Sequence, residues 1–297
     1  MEPLTFDGRV AIVTGAGGGL GRCHALELAR RGAAVVVNDL GTSVDGSAAA
    51  SASAEAVVAE ITAAGGSAVA NGDSVASQPG GAAIVQTALD TFGRIDIVIN
   101  NAGILRDAAF KNMTPELLDP LIDVHLKGAF WVTHAAWGHL REQGYGRIIN
   151  TSSGSGIFGN FGQTNYGAAK MGIVGLTQVL AIEGARNGIT VNAIAPAALT
   201  RMTENLGGGR REEPSTTGWT AYGAENIAPL VVWLGSSESG GVTGRVFELA
   251  GGQVSVAQGW LPGPQTDKGA RWEPSELGPV VHDLLEKSAL PQPVYGA

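Results

Sequence analysis

Short apolar runs alternate with longer amphipathic stretches along most of the chain. The runs are rich in β-branched residues, which is typical of strands buried on both faces of a sheet. They cover residues 10–13, 34–37, 68–70, 95–99, 147–150, 190–194 and 246–249. Helical patterns cover residues 20–31, 54–63, 82–92, 121–140 and 166–186. The alternation predicts an α/β fold with a doubly wound parallel sheet and helices on both faces.

Two segments break this alternation. Residues 203–223 are rich in glycine, serine, threonine and charge, which indicates a surface loop that is either a lid over a site or an insertion without function. From residue 262 onward proline and glycine recur around a possible helix at residues 276–286. We therefore predict one domain over residues 1–261, which carries the lid-like loop, and a tail over residues 262–297 packed on the same domain.

A glycine-rich turn directly follows the first apolar run, and residues 14–21 read TGAGGGLG. Backbone N–H groups in such a turn and the positive end of the next helix can approach a pyrophosphate closely. The spacing is G-x-x-x-G-x-G, formed by Gly15, Gly19 and Gly21, because Leu20 stands where the commoner G-x-G-x-x-G pattern requires glycine. The placement predicts a dinucleotide site that also includes Gly17 and Leu20, and a purely structural turn is the alternative.

An acidic residue, Asp39, ends the second apolar run about 20 residues after the glycines, where a carboxylate can bind the adenine ribose hydroxyls. Its charge would repel a 2′-phosphate, so we expect NAD rather than NADP. A loop-capping role for Asp39 is the alternative. Other strand ends that a bound cofactor would pass carry Asp73, Ser74, Asn101, Ala102 and Gly103.

Tyr166 and Lys170 stand four residues apart at the start of a helical pattern and therefore share one face. A nearby ammonium stabilises a phenolate, so we expect Lys170 to lower the pKa of Tyr166 toward a pH at which it accepts a proton. Ser153, at the end of the fifth strand, can hold the reacting oxygen. Its neighbour Ser152 is expected to be structural.

Taken in order, the motifs TGxxxGxG, NNAG, a serine and YxxxK resemble those of the short-chain dehydrogenase/reductase family over nearly the whole chain. The resemblance implies a single Rossmann-type domain of seven parallel strands in three layers. It implies that Tyr166 is the acid/base, that Ser153 orients the substrate oxygen and that Lys170 holds the nicotinamide ribose. Cofactor contacts from Tyr166, Pro196 and Thr200, and a homo-oligomer, dimer or tetramer, through the catalytic helix are also implied.

Two places depart from the family pattern. After the sixth strand Pro196 is followed by Ala197, where the family often has glycine, and Thr200 stands one residue early. His125, within the stretch DVHLKG, stands where the family usually has the asparagine of its catalytic tetrad, and we take it as the fourth catalytic candidate. Histidine here resembles the (3R)-hydroxyacyl-CoA dehydrogenase units of peroxisomal multifunctional enzymes of type 2. This chain also resembles those units in the stretches VVVNDLG, NNAGILRD, YGRII, GNFGQTNY and IAPLVVWL.

The resemblance implies an NAD-dependent oxidation of a (3R)-3-hydroxyacyl-CoA to a 3-oxoacyl-CoA. The alternatives are a 17β-type hydroxysteroid or other secondary-alcohol dehydrogenase, a 3-oxoacyl reductase, and a non-catalytic NAD(H)-binding regulator. A coenzyme A thioester needs cations for its phosphates and an apolar slot for its chain, whereas a sterol needs only the slot. The candidates are Arg106, Arg201, Arg210 and Arg211 for the phosphates, and Phe158, Phe161, Met202 and Trp219 for the slot.

Composition bears on the partners, metals and compartment that we expect for this protein. The 297 residues carry a formal net charge of -8 with no basic run, which argues against a nucleic-acid partner. The five histidines show no metal-ligand spacing. With neither a signal-peptide pattern nor an apolar run long enough to span a bilayer, and with Cys23 as its single cysteine, the chain is expected to be a cytoplasmic protein without a membrane partner.

Overall fold

The computed structural model describes residues 4–41, 53–199 and 219–290, together with residues 292 and 294. Its strands are β1 (Val10–Thr14), β2 (Ala34–Asn38), β3 (Ser67–Asn71), β4 (Ile97–Asn100), β5 (Gly146–Thr151), β6 (Ile189–Ala197), β7 (Val246–Ala250) and β8 (Gln253–Ala257). They form one sheet in the order β3-β2-β1-β4-β5-β6-β7-β8. The order reverses between β1 and β4, and in such sheets ligands bind outside the carboxyl ends of the strands at that point.

Helices pack on both faces of this sheet. The described α-helices are α1 (Gly19–Arg30), α2 (Ser53–Ala63), α3 (Gln78–Phe92), α4 (Pro115–Ile122), α5 (Gly128–Gln143), α6 (Gly154–Ile157), α7 (Thr164–Gly184), α8 (Ala228–Gly235) and α9 (Leu277–Glu286). Helix α1 packs beside α8, whereas α3 packs beside α5. The predicted α/β class with a doubly wound sheet is therefore confirmed.

The central strands β1 and β4 are buried along their whole length, as their continuous apolar sequences predict. In β1, Ala11 and Val13 join the apolar cluster that includes residues of α1 and α8. Val10 and Ile12 join a second cluster that includes residues of α3 and α5. Because successive side chains of a strand point to opposite faces, one short run contributes to both layers of core.

Two predicted features need correction. The sheet has eight strands rather than seven, because β8 pairs antiparallel with β7. The signal for it is the pair Gly251–Gly252 between the two strands, which favours a two-residue hairpin. The predicted helix over residues 121–140 is interrupted by a π-helical turn at Asp123–Lys127, which contains His125. Such turns occur often at functional sites.

Several predictions concern the later part of the chain. The loop 203–223 lies largely outside the described residues, and so does Thr200. Helix α9 confirms the possible helix at residues 276–286, and it has no buried residue. The division between a domain ending at residue 261 and a packed tail stays a prediction. Among the described residues, no helix is long and apolar enough to cross a membrane.

Candidate active site

The glycine-rich turn joins β1 to α1 and fits a bound dinucleotide. Gly15 has a φ of 63°, and a Cβ there would lie 2.8 Å from Ala102 Cα, so only glycine suits this position. A Cβ on Gly21 would meet the carbonyl oxygen of Gly15. No described side chain caps the N terminus of α1, which begins at Gly19. Its first N–H groups are therefore available to a pyrophosphate.

Asp39 directly follows β2 and faces this turn. One carboxylate oxygen accepts a hydrogen bond from Gly17 N at 2.9 Å. The other accepts from Gly41 N at 2.7 Å and from Ser53 Oγ at 3.2 Å. A Cβ on Gly17 would meet Ser53 Oγ and would lie 2.8 Å from Asp39 Cγ. The carboxylate is therefore fixed against the turn at the position where the sequence expects a ribose contact.

The NNAG motif after β4 holds the turn from the other side. The Asn101 amide donates to the carbonyl oxygens of Thr14 at 3.0 Å and Gly15 at 3.1 Å. Thr14 Oγ1 in turn accepts from the backbone N of Asn101 at 3.0 Å and of Ala102 at 3.1 Å. Sequence reasoning missed Thr14, although the threonine opens the TGxxxGxG motif.

Other predicted cofactor residues lie after β3, in β6 and in α1. After β3, Asp73 is exposed and accepts a hydrogen bond from the Asn71 amide at 2.8 Å. Ser74 Oγ accepts from Ala76 N at 3.3 Å. Pro196 is part of β6, opposite Leu249 of β7. Leu20 is half-buried in the first turn of α1.

Ser153, Tyr166 and Lys170 come together beyond the carboxyl end of β5. Ser153 caps α6, and its Oγ accepts from Ser155 N at 3.2 Å. Tyr166 and Lys170 share one face of α7, with Lys170 Nζ 5.4 Å from the centre of the Tyr166 ring. Lys170 is buried and donates from Nζ to the Thr151 carbonyl oxygen at 2.6 Å. Ser152 Oγ donates to the Lys170 carbonyl oxygen at 2.8 Å, which agrees with its expected structural role.

Burial governs the protonation of the pair. Burial raises the pKa of Tyr166 to about 12. The hydrogen bond with Ser153 opposes this rise only in part, and the charge of Asp107 adds to it. Burial lowers the pKa of Lys170 to about 7. The expectation that Lys170 would bring the pKa of Tyr166 below its ordinary value is therefore wrong for this structure, because the loss of hydration outweighs it.

His125 lies against the same tyrosine. Its ring meets the Tyr166 ring edge-on, with the centres 5.3 Å apart and the planes at 88°. Its Nε2 lies 3.0 Å from Ile104 N and 2.8 Å from Ile104 O. Burial and the charge of Lys170 lower its pKa well below the usual value. A Cβ on Gly103 would overlap the His125 ring, so Gly103 is explained by this packing.

Two loops flank Tyr166, and sequence reasoning did not connect them. Ala108 and Gln163 form a parallel bridge, and the Gln163 amide donates to Asp107 at 2.8 Å. The Asn165 amide donates to the carbonyl oxygens of Arg106 at 2.9 Å and of Leu117 at 3.0 Å. These bonds join segments more than 45 residues apart, and local sequence patterns do not predict such contacts.

Known proteins are similar to most of this chain. The family model for short chain dehydrogenases matches residues 9–211. The chain is 54% identical over 253 residues to the peroxisomal multifunctional enzyme type 2 of Mus musculus, which covers 85% of this chain and 33% of that protein. It is 37% identical over 292 residues to a hydroxyacyl-CoA dehydrogenase of Mycobacterium tuberculosis, which covers 94% of this chain and 89% of that protein.

A solved structure is similar over a greater part of the chain. The crystal structure of a short chain dehydrogenase from Mycobacterium avium matches with a TM-score of 0.85 at 53% identity, over 98% of this chain and 99% of that one. By contrast, the chain spans about a third of the length of the Mus musculus enzyme and less than a third of two fungal peroxisomal hydratase-dehydrogenase-epimerases that it matches.

Proposed function

Because the chain belongs to the short chain dehydrogenase family, we propose that it oxidises a (3R)-3-hydroxyacyl-CoA to the 3-oxoacyl-CoA. Membership confirms the resemblance inferred from the motifs and makes the protein an oxidoreductase that acts on CH–OH groups. The observation that carries the proposal is the grouping of Ser153, Tyr166 and Lys170 at one strand end. A phenol beside a hydroxyl and an amine can move a proton to or from an alcohol oxygen.

Each of these residues has a role in the proposed reaction. The Tyr166 oxygen accepts the proton of the substrate hydroxyl as the carbonyl forms, and Ser153 holds the substrate oxygen. With its pKa near 12, Tyr166 is a phenol at neutral pH and must lose that proton before it can act as the base. A charge on Lys170 favours the phenolate. The oxidation should therefore accelerate as the pH rises toward 7 and gain less above it, where Lys170 loses the charge that favours the phenolate.

The family and the fold imply a nicotinamide cofactor, and our proposal is NAD. When bound, the nicotinamide accepts the hydride that leaves the substrate carbon. The uncapped N terminus of α1 would hold the pyrophosphate, and Asp39 would receive the ribose hydroxyls. The fixed carboxylate supports NAD because a 2′-phosphate would meet a like charge there. The other cofactor contacts predicted from the sequence, including Asp73, Ser74, Pro196 and Thr200, stay proposals.

The choice of an acyl-CoA substrate rests on the relatives. The Mycobacterium tuberculosis relative, named a hydroxyacyl-CoA dehydrogenase, matches over nearly the whole chain, so the comparison includes the substrate side of the fold. Of the predicted phosphate-binding arginines, Arg106 is described, and it donates a hydrogen bond to the Glu116 carbonyl oxygen. Arg201, Arg210, Arg211 and Met202 lie outside the described residues.

Initial rates at 340 nm with NAD test the substrate. Matched reactions would contain a (3R)-3-hydroxyacyl-CoA, its (3S) isomer, or a 17β-hydroxysteroid. We expect turnover of the (3R) thioester. Turnover of the steroid alone would support alcohol oxidation but contradict the acyl-CoA substrate. A preference for the (3S) isomer would contradict the proposed (3R) substrate. The Tyr166→Phe variant should lose turnover but still bind NADH, and a change in NADH fluorescence would measure that binding. An active Tyr166→Phe variant would show that the phenol is not the acid/base.

A homo-oligomer in the cytoplasm completes the proposal. Helix α7 exposes 78% of Ile182 and 54% of Val179, an apolar surface that a second copy would cover. Ile182→Glu should lower the molar mass measured by light scattering, and an unchanged mass would exclude this surface as the interface.

The single cysteine, Cys23, can form no disulfide within the chain, which suits the reducing environment of the cytoplasm. Cell fractionation tests the compartment.

A further inference from the structure

Asp107 is an acidic residue beside the catalytic helix that the proposed reaction does not use. Its side chain is exposed, and the carboxylate accepts a hydrogen bond from the Gln163 amide at 2.8 Å. Gln163 is 5% exposed and directly precedes α7, whose first turn carries Tyr166. The Gln163 amide oxygen accepts from the Asn160 amide at 3.0 Å, so the N–H groups of Gln163 are the ones that face Asp107.

The backbone on both sides of Asp107 is fixed as well. The Arg106 carbonyl oxygen accepts from the buried Asn165 amide at 2.9 Å. Ala108 N donates to Gly162 O at 2.9 Å. Hydrogen bonds therefore hold the Asp107 side chain and both of its neighbours against the residues around the start of α7. A charge that is already held in place acts on a bound group without first having to be oriented.

The charge of Asp107 reaches the reacting group. Within the described residues, no ion pair includes this carboxylate. The side chain of the adjacent Arg106 donates to the Glu116 carbonyl oxygen. The charge of Asp107 raises the pKa of Tyr166, so it disfavours a negative charge on the phenol oxygen. The substrate oxygen has to approach the same phenol, and a negative group bound beside it would meet the same repulsion.

From this placement we propose that Asp107 is a specificity-determining residue, which makes the site prefer an uncharged 3-hydroxyacyl ester or thioester over the free 3-hydroxy acid. The inference rests on the proposed function for its substrate class. In the free acid, a carboxylate takes the place of the thioester carbonyl, two bonds from the carbon that is oxidised. The acid therefore brings a full negative charge close to the phenol, whereas the thioester brings a neutral dipole.

The size of the preference follows from Coulomb's law. Two unit charges about 8 Å apart, at an effective dielectric constant of about 20, repel strongly enough to change a rate constant about 30-fold. Because Asp107 is exposed, water and salt weaken this repulsion, and we expect an effect of about 5-fold.

Initial rates at 340 nm with NAD test Asp107 on (3R)-3-hydroxybutyrate and its methyl ester, which is uncharged and lacks coenzyme A. The ratio of kcat/KM for the acid to that for the ester should rise about 5-fold in Asp107→Asn, which keeps an oxygen for the Gln163 amide. Asp107→Glu keeps the charge and should keep the wild-type ratio. Asp90→Asn is the matched control, because Asp90 is also exposed and accepts from a glutamine amide, that of Gln86 at 2.7 Å, but lies on α3. It should leave the ratio unchanged.

The pH dependence gives a second measurement. Removal of the charge in Asp107→Asn should lower the pH at which oxidation of the ester accelerates, because the phenolate of Tyr166 then forms more readily. A residue with a purely structural role would change the rates for both compounds together and would leave the ratio and the pH profile as they are. An unchanged ratio in Asp107→Asn overturns the inference, and so does a wild-type protein that oxidises neither compound.

The same assay separates this inference from the proposed function. If Asp107→Asn changes the ratio as expected but the wild-type protein oxidises no 3-hydroxyacyl-CoA, the role of Asp107 stands and the proposed thioester substrate fails. If the wild-type protein oxidises the (3R) thioester but Asp107→Asn keeps the wild-type ratio, only the role of Asp107 fails.

Discussion

His24 should make the protein sensitive to acid. The residue lies on the buried face of α1 and has no exposed surface. Neither ring nitrogen has a hydrogen-bond partner among the described residues. Burial lowers its pKa from 6.5 to about 3, because the charged imidazolium would lose its hydration. The folded protein therefore keeps a neutral ring at pH values where the unfolded chain binds a proton.

The size of the effect follows from this difference. A group with a lowered pKa in the folded state contributes stability that is complete above the unfolded pKa and is lost as the pH falls toward the folded pKa. Between pH 7 and pH 4 this loss amounts to about 3 kcal/mol for His24. That is a large part of the free energy of unfolding of a typical protein, about 5–15 kcal/mol.

Urea unfolding at several pH values, followed by tryptophan fluorescence, measures this loss. We expect His24→Leu to lose about 3 kcal/mol less than the wild-type protein between pH 7 and pH 4. His282→Gln, which removes an exposed histidine, should follow the wild-type curve. If His24→Leu shows the wild-type dependence within about 1 kcal/mol, the buried ring is not the source of acid sensitivity.

Three further variants test the site and the fold. Asp39→Ala should raise the ratio of kcat/KM for NADP to that for NAD at least about 10-fold, because it removes a negative charge that repels the 2′-phosphate of NADP. An unchanged ratio would show that Asp39 does not select the cofactor. His125→Asn should keep activity within about 10-fold of wild type in the same assay, because an amide can also pair with Ile104, and complete inactivity would give the imidazole its own role. Asp96→Asn should lower the urea-measured free energy of unfolding by about 1–3 kcal/mol at pH 7, because it removes the buried carboxylate that accepts hydrogen bonds from Arg9 and Arg94, and no measurable change would refute this. Burial raises the pKa of Asp96, but the hydrogen bonds from Arg94 and Arg9 lower it overall, so this stabilisation is present above the ordinary pKa of 3.8 and is lost in stronger acid.

Sequence alone determined the layers of the fold. A strand covered on both faces must be apolar at every position, and a helix on its surface must be apolar on one side, so β1 and α1 are legible without tertiary knowledge. The glycine turn was equally legible because Gly15 needs a positive φ, which side chains disfavour. The apolar runs do not reveal strand β8, because its valines, Val254 and Val256, are more than half exposed. A run of apolar residues indicates a strand only where the strand is buried.

Tertiary structure decided how the site behaves. The spacing of Tyr166 and Lys170 placed both on one face of a helix, but the direction of their pKa shifts depends on how far the fold removes them from water. The joining of Asp107 to Gln163 is likewise a contact between distant segments. Local patterns encode backbone preference and amphipathicity, whereas hydration and long-range contacts depend on every element that packs around a residue.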